Sequence, residues 1–232
     1  MTLDPRRARL WDAMNLGPRW HFRGVGPAPA TRAETIARMD WDRLERSVAA
    51  CTECALCKTR RNTVFGVGNR NAHWMLVGEA PGAEEDAKGE PFVGQAGRLL
   101  DNMLAAVGLA RRGDEAHAVY IANVLKCRPP GNRNPEPSEV AQCEPYLLRQ
   151  VALIRPKLIV VMGRFAAQSL LGTDATIGSL RGRVHSIRVG ELAVPVVVTY
   201  HPAYLLRNLA DKAKAWADLC LAQEVYESSR RT

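Results

Sequence analysis

Leu158 to Leu171 reads LIVVMGRFAAQSLL, a short apolar run rich in β-branched residues, one glycine, and then a helix-forming stretch. The first part predicts a buried strand over Leu158–Met162 and the second a helix over Arg164–Leu171. Three more runs match the first: WMLVG at Trp74–Gly78, VYIAN at Val119–Asn123 and PVVVT at Pro195–Thr199. Helices are predicted over Gln95–Val107, over Ser138–Ile154 after Pro-Glu-Pro, and from Lys212 to about Ser228. Ahead of the strands, Asp40 can cap a helix that sets Leu44, Val48 and Cys51 on one face. Strands that are apolar throughout and alternate with helices imply a parallel sheet covered on both sides. The predicted fold class is therefore α/β, a three-layer α/β/α sandwich around a central, mainly parallel four-stranded sheet, spanning residues 40–232.

With 232 residues, 47% of them hydrophobic, the chain can bury one substantial core and carry a small appendage. Lys and Arg exceed Asp and Glu by 32 to 24, a net charge of +8. Such a balance suits a polyanionic partner, although a solvated basic surface gives the same count. Residues 1–39 differ from the rest: they hold Arg6, Arg7, Arg9, Arg19, Arg23 and Arg32, two tryptophans (Trp11, Trp20) and the spacer GPAPAT at Gly26–Thr31. They read as a basic, partly ordered leader, either a solvated arm or one that touches nucleic acid. No apolar run reaches membrane-spanning length and no hydrophobic signal segment is present, so the expected location is cytoplasmic. There the six cysteines are expected to be free or metal-bound rather than paired.

In parallel sheets ligands bind beyond the carboxyl ends of the strands. The first strand leads into Glu79, the second ends at Asn123, and the fourth runs into HPAYLLR, which begins with His201. A carboxylate, an amide and an imidazole thus meet at one rim. Singly, Asn123 is a strand-end cap and His201 a turn residue before Pro202; jointly they point to a site. The intervening stretch GEAPGAEEDAKGEPFVGQAG, Gly78–Gly97, carries Glu79, Glu84, Glu85, Asp86 and Glu90, which no phosphate cradle would hold, and presents Phe92 near its end. Cys51-x2-Cys54, Cys127 and Cys143 make a plausible four-thiolate site for zinc or an iron–sulfur cluster, and spacing does not choose between them. Cys57 is a rival ligand, and Cys220 reads as core on an apolar helix. A thioredoxin-like pair is disfavoured because no strand precedes the Cys-x2-Cys.

GEAPGAEED, GEPFVGQAG, NVLKCRPPGNRNPEP, MGRFAAQSLLG and HPAYLLR, in this order and with the four cysteines, resemble family 4 uracil-DNA glycosylases over about residues 40–221. The resemblance implies a monofunctional base-excision repair enzyme that flips deoxyuridine out of single- or double-stranded DNA and hydrolyses its glycosidic bond. It also implies a [4Fe-4S] cluster on Cys51, Cys54, Cys127 and Cys143, and a monomer with no membrane partner. Uracil is expected against Ala80 and the Phe92 face. Asn123 would accept from N3–H and donate to O4, a pattern that cytosine reverses. His201 would donate toward O2 as the base leaves. The family 1 loop, G-Q-D-P-Y, has a water-positioning aspartate and a thymine-blocking tyrosine where this chain has Ala80 and Gly82; catalysis is then expected to rest on leaving-group stabilisation, with water held by backbone or by Glu79, and Glu79 is the candidate for excluding thymine. By register with family 1, Leu205 would wedge into the vacated stack and Arg207 would meet phosphate. Two other readings are a superfamily relative that links covalently to the abasic site through a loop histidine, and a noncatalytic, metal-stabilised DNA-binding domain. Arg128–Glu139 contains no histidine, which disfavours the first; the intact Glu79, Phe92, Asn123 and His201 set disfavours the second.

Overall fold

One sheet organises the chain in the computed structural model, which describes residues 4–17 and 30–231. Its strands are β1 (Val67–Gly68), β2 (Trp74–Gly78), β3 (Val119–Asn123), β4 (Leu158–Met162), β5 (Val184–Val189) and β6 (Leu192–Thr199), in the order β1-β3-β2-β4-β6-β5. The four inner strands are the four expected ones, and they run parallel. Two antiparallel edge strands are added, β1 on β3 and β5 on β6. The sheet is thus mixed and six-stranded, mostly parallel. β5 escapes a sequence reading because one of its faces is wet: Val184, Ser186 and Arg188 are exposed while Ile187 is buried.

Alternation along each inner strand divides the core in two. Met75, Val77, Ile159 and Val161 face one side, where Leu147, Val151 and Ile154 of α6 (Pro137–Ile154) and Ala166, Ala167 and Leu170 of α7 (Arg164–Leu171) cover them. Trp74, Leu76, Leu158 and Val160 face the other, under Leu100 and Leu104 of α5 (Gln95–Ala106) and Leu219 and Ala222 of α10 (Lys212–Arg231). These are the three layers. Hydrophobic burial on both faces explains why the inner strands tolerate almost no polar residue.

The remaining helices are short. Asp40 caps α3 (Trp41–Ala49) by accepting from the Arg43 amide at 2.8 Å, and Leu44 and Val48 are its buried face; the helix stops before Cys51. α1 (Pro5–Ala13), capped by Asp4, buries nothing, whereas α2 (Arg32–Ala37) buries Ile36 beside Leu44, Val48 and Tyr146. Packing therefore begins ahead of residue 40. The leader residues Arg19, Trp20 and Arg23 lie outside the described residues, as does the spacer up to residue 29. Three further helices surround the rim: α4 (Ala83–Lys88), α8 (Ile177–Leu180) and α9 (Pro202–Leu205). No helix among the described residues is long and apolar enough to cross a membrane.

Candidate active site

β2 and β3 end side by side, with Gly78 opposite Asn123. Their pairing continues past the strands, since the amides of Val124 and Leu125 donate to the carbonyls of Gly78 and Glu79, both at 3.0 Å. Gly78 has to be glycine: a Cβ there would lie 2.4 Å from Asn123 Oδ1 and 2.7 Å from the Phe92 ring. β4 ends just before Gly163 and β6 leads into His201. Together these strand ends floor a cavity of about 710 Å³, lined by Glu79, Ala80, Phe92, Asn123, His201 and Arg207 among others. The cavity thus unites six of the residues expected from sequence.

Asn123 is 2% exposed, and its Oδ1 is a buried acceptor without a hydrogen-bond partner. An orphaned buried acceptor is costly unless a ligand donates to it. His201 packs its ring against Phe92, centroids 5.3 Å apart and planes at 29°. Its Nδ1 accepts from the Ala203 amide at 3.2 Å, so in the neutral ring the proton sits on Nε2 and is available as a donor. Desolvation lowers the His201 pKa to about 4, with Arg207 adding to the effect and Glu85 opposing it. Desolvation also raises Glu79 to about 7, against the pull of Arg164. Two groups of opposite kind are thus both driven toward neutrality by loss of water.

Of the five acids in the loop, Glu84 and Glu90 point to solvent, but two turn inward. Asp86, 3% exposed, accepts from the amides of Arg61 and Asn62. Glu85 accepts from the amides of Gly82 (3.1 Å), Val93 (3.0 Å) and Gly94 (3.4 Å), tying the segment after β2 to the segment that carries Phe92. Sequence reasoning passed over Glu85. Its signal was the three-residue spacing from Gly82, the helix-start box that α4 adopts. On the facing loop, Arg133 grips Glu139 with two hydrogen bonds of 2.9 and 2.6 Å, fixing the chain after β3.

One expectation fails. Leu205, assigned to wedge into DNA, is 1% exposed and packs with Tyr200 and Ala215. It lies on the inward side of α9, while the next residue, Leu206, is 38% exposed. Arg207, also exposed, does line the cavity.

Cys51, Cys54, Cys127 and Cys143 line a second cavity, and Cys57 does not. Two guanidinium groups and a backbone amide approach three of these thiols. Arg60 donates to Cys127 Sγ at 3.0 Å, the Lys126 amide donates to Cys143 Sγ at 3.2 Å, and Arg32 approaches Cys51. Burial pushes the Cys143 thiol up to about 12 and also raises Cys54 and Cys127. Soft sulfur donors with guanidinium groups beside them could hold a thiolate-ligated metal or cluster. No tight group of three or more His, Cys, Asp or Glu suited to one ion occurs among the described residues. Cys220 on α10 is half-buried and lines neither cavity.

The two cavities share a wall. Ala80 packs against Leu56, Leu125 and Cys127, and the fully buried Lys126 Nζ donates to the Asn123 carbonyl at 2.8 Å and to Gln150 Oε1 at 2.6 Å.

Comparison with known proteins gives the family. Residues 65–220 match the family model described as the uracil DNA glycosylase superfamily. A type-4 uracil-DNA glycosylase of Archaeoglobus fulgidus is 50% identical over 169 residues, covering 71% of this chain and 82% of the relative. Type-4 uracil-DNA glycosylases of Pyrobaculum aerophilum and Thermotoga maritima are 41% and 44% identical, covering 79% and 72% of this chain and 93% and 83% of their own. By its strand-end site, its family match and these relatives, the chain belongs to the uracil DNA glycosylase superfamily, among the type-4 enzymes.

Proposed function

We propose that this protein is a monofunctional uracil-DNA glycosylase, which flips deoxyuridine out of DNA, hydrolyses the N-glycosidic bond and leaves an abasic site. The names of its relatives carry the reaction. The observation that carries the site is the orphaned Asn123 Oδ1, because it demands a ligand that donates. Uracil N3–H is such a donor, and the Asn123 amide nitrogen then donates to O4; cytosine offers a lone pair and an amine at those two atoms and mispairs twice. Neutral His201 donates from Nε2 toward O2, where negative charge collects as the bond to the sugar breaks. Water arrives on a sugar that has become oxocarbenium-like. Glu79 in its ionised form orients that water, a task Ala80 cannot perform. Arg207 takes a phosphate at the mouth, and the wedge falls to exposed Leu206 rather than to Leu205. All these groups come from one chain, and we read the enzyme as a monomer working in the reducing compartment that holds the cell's DNA.

Cys51, Cys54, Cys127 and Cys143 would hold a [4Fe-4S] cluster: four thiols, Cys127 buried and the others half-buried, share one cavity, and guanidinium donors that offset thiolate charge meet Cys127 and Cys51. When bound, the cluster supplies a cross-link between the chain just after α3, the chain after β3 and α6, and its ligation acts as folding free energy. The residues themselves do the rest, with Lys126 bracing the Asn123 carbonyl from the cysteine side.

A gel assay on oligonucleotides with one uracil tests the reaction. Wild type should yield an alkali-labile product from single strands and from U:G duplex. Asn123→Ala should be slower by roughly tenfold or more, since each lost hydrogen bond costs about 1–3 kcal/mol. Absence of product from wild type would overturn the function, and an undiminished Asn123→Ala would overturn the site. Protein purified without oxygen should be brown with about four irons and four sulfides per chain. One tightly bound zinc in colourless protein would overturn the cluster.

A further inference from the structure

Phe92 stands in a conformation that its residue type resists. Its φ is +55°, in the left-handed region, where a bulky side chain is an outlier. Such strain persists at functional sites only where surrounding groups hold it. Around Phe92 the holding groups are of two kinds. On the far side Glu85 takes the amides of the two following residues, Val93 and Gly94. On the near side the holder is Arg111, which belongs to none of the sequence motifs and sits in the connection between α5 and β3.

The Arg111 guanidinium is used almost completely. Nη1 donates to the Pro91 carbonyl at 2.9 Å, Nη2 to the Phe92 carbonyl at 2.5 Å, and Nε to Asp101 of α5 at 2.6 Å. Glu90 lies 3.7 Å away on the solvent side. The Phe92 carbonyl reaches this position only because residue 97 is glycine; a Cβ there would meet it at 1.7 Å. The planar fork of an arginine can grip two consecutive carbonyls and a carboxylate at once, and a lysine cannot. The side chain is only 18% exposed, so water competes weakly for these bonds.

We infer that Arg111 is a positioning residue for base stacking: by holding the carbonyls of Pro91 and Phe92 it keeps the Phe92 ring between Gly78 and His201, at the height where a flipped pyrimidine lies. The inference deepens the glycosylase reading and rests on it. Arg111 itself never meets the base; it acts through the backbone of Phe92. Affinity for DNA comes mainly from phosphate contacts elsewhere, whereas a displaced ring disturbs the reacting geometry alone. Loss of Arg111 should therefore appear in kcat and spare KM.

The test uses full-length protein labelled with 4-fluorophenylalanine, which reports on the chain's four phenylalanines. A Phe92→Leu sample assigns the Phe92 signal. In Arg111→Met the Phe92 fluorine resonance should shift and broaden, and kcat on a uracil oligonucleotide should fall on the order of a hundredfold. KM should stay within about threefold. Arg111→Lys should recover only part of the rate, and millimolar guanidinium added to Arg111→Met should restore both the rate and the resonance in part. A lower melting temperature with the Phe92 signal unmoved, or kcat within about twofold of wild type, would overturn the inference. The fluorine readout does not depend on turnover, so an inactive wild type would sink the glycosylase reading and leave Arg111 to be judged on the resonance.

Discussion

Glu79 and His201 are ionisable groups that the same physical cause moves in opposite directions. Loss of water raises the carboxyl to about 7 and lowers the imidazole to about 4. With the carboxylate as the active form, excision should decline as pH falls through 7, along a single-proton limb. His201 stays neutral over that range, so the limb belongs to Glu79. Single-turnover rates between about pH 5 and 9 should show it, and Glu79→Gln should flatten the profile at a lower plateau. A limb that persisted unchanged in Glu79→Gln would assign it to another group. Glu79, Asn123 and His201 were legible in the sequence because each stands where an apolar run stops. The role of Glu85 was not, since its one signal, the three-residue spacing from Gly82, rests on a glycine that carries no capping side chain and is faint among neighbouring acids. Arg111 was still less visible, because its partners are backbone carbonyls and carry no sequence signature.

At the level of elements, the inner strands announced themselves through uninterrupted burial, and the helices through their apolar faces. The edges did not. β1 is two residues long, and β5 alternates like any half-wet segment, with His185 and Arg188 among its residues. α9 shows how sensitive a site is to a rotation of one residue, about 100° on a helix. Register with a related loop put the wedge at Leu205, but that position faces Tyr200 and Ala215, and Leu206 faces out. The two leucines should therefore separate experimentally. Leu205→Ala should lose about 2–5 kcal/mol of stability, read from denaturant midpoints. Leu206→Ala should melt like wild type and slow excision from duplex DNA more than from single strands. Equal slowing on both substrates would remove the wedge from this turn.

Over the whole molecule, the excess of eight positive charges and the groups that read the base perform different tasks. Asn123, Phe92 and neutral His201 present dipoles and a ring face, while the exposed arginines Arg164 and Arg207 stand on the cavity lining. Phosphate contacts release counterions, so binding should weaken with a slope of roughly −0.7 to −0.9 per contact on a log–log plot against salt. Turnover of bound DNA involves no such release. Raising salt should therefore lift KM steeply and leave kcat nearly level, as initial rates at several concentrations of potassium chloride would show. A kcat that fell in parallel with binding would mean that a charged contact forms only at the chemical step. This division of labour, with phosphates left to arginines and the base to uncharged groups, thus has a kinetic consequence: ionic strength sets how often this enzyme visits DNA, and hardly alters what a visit accomplishes.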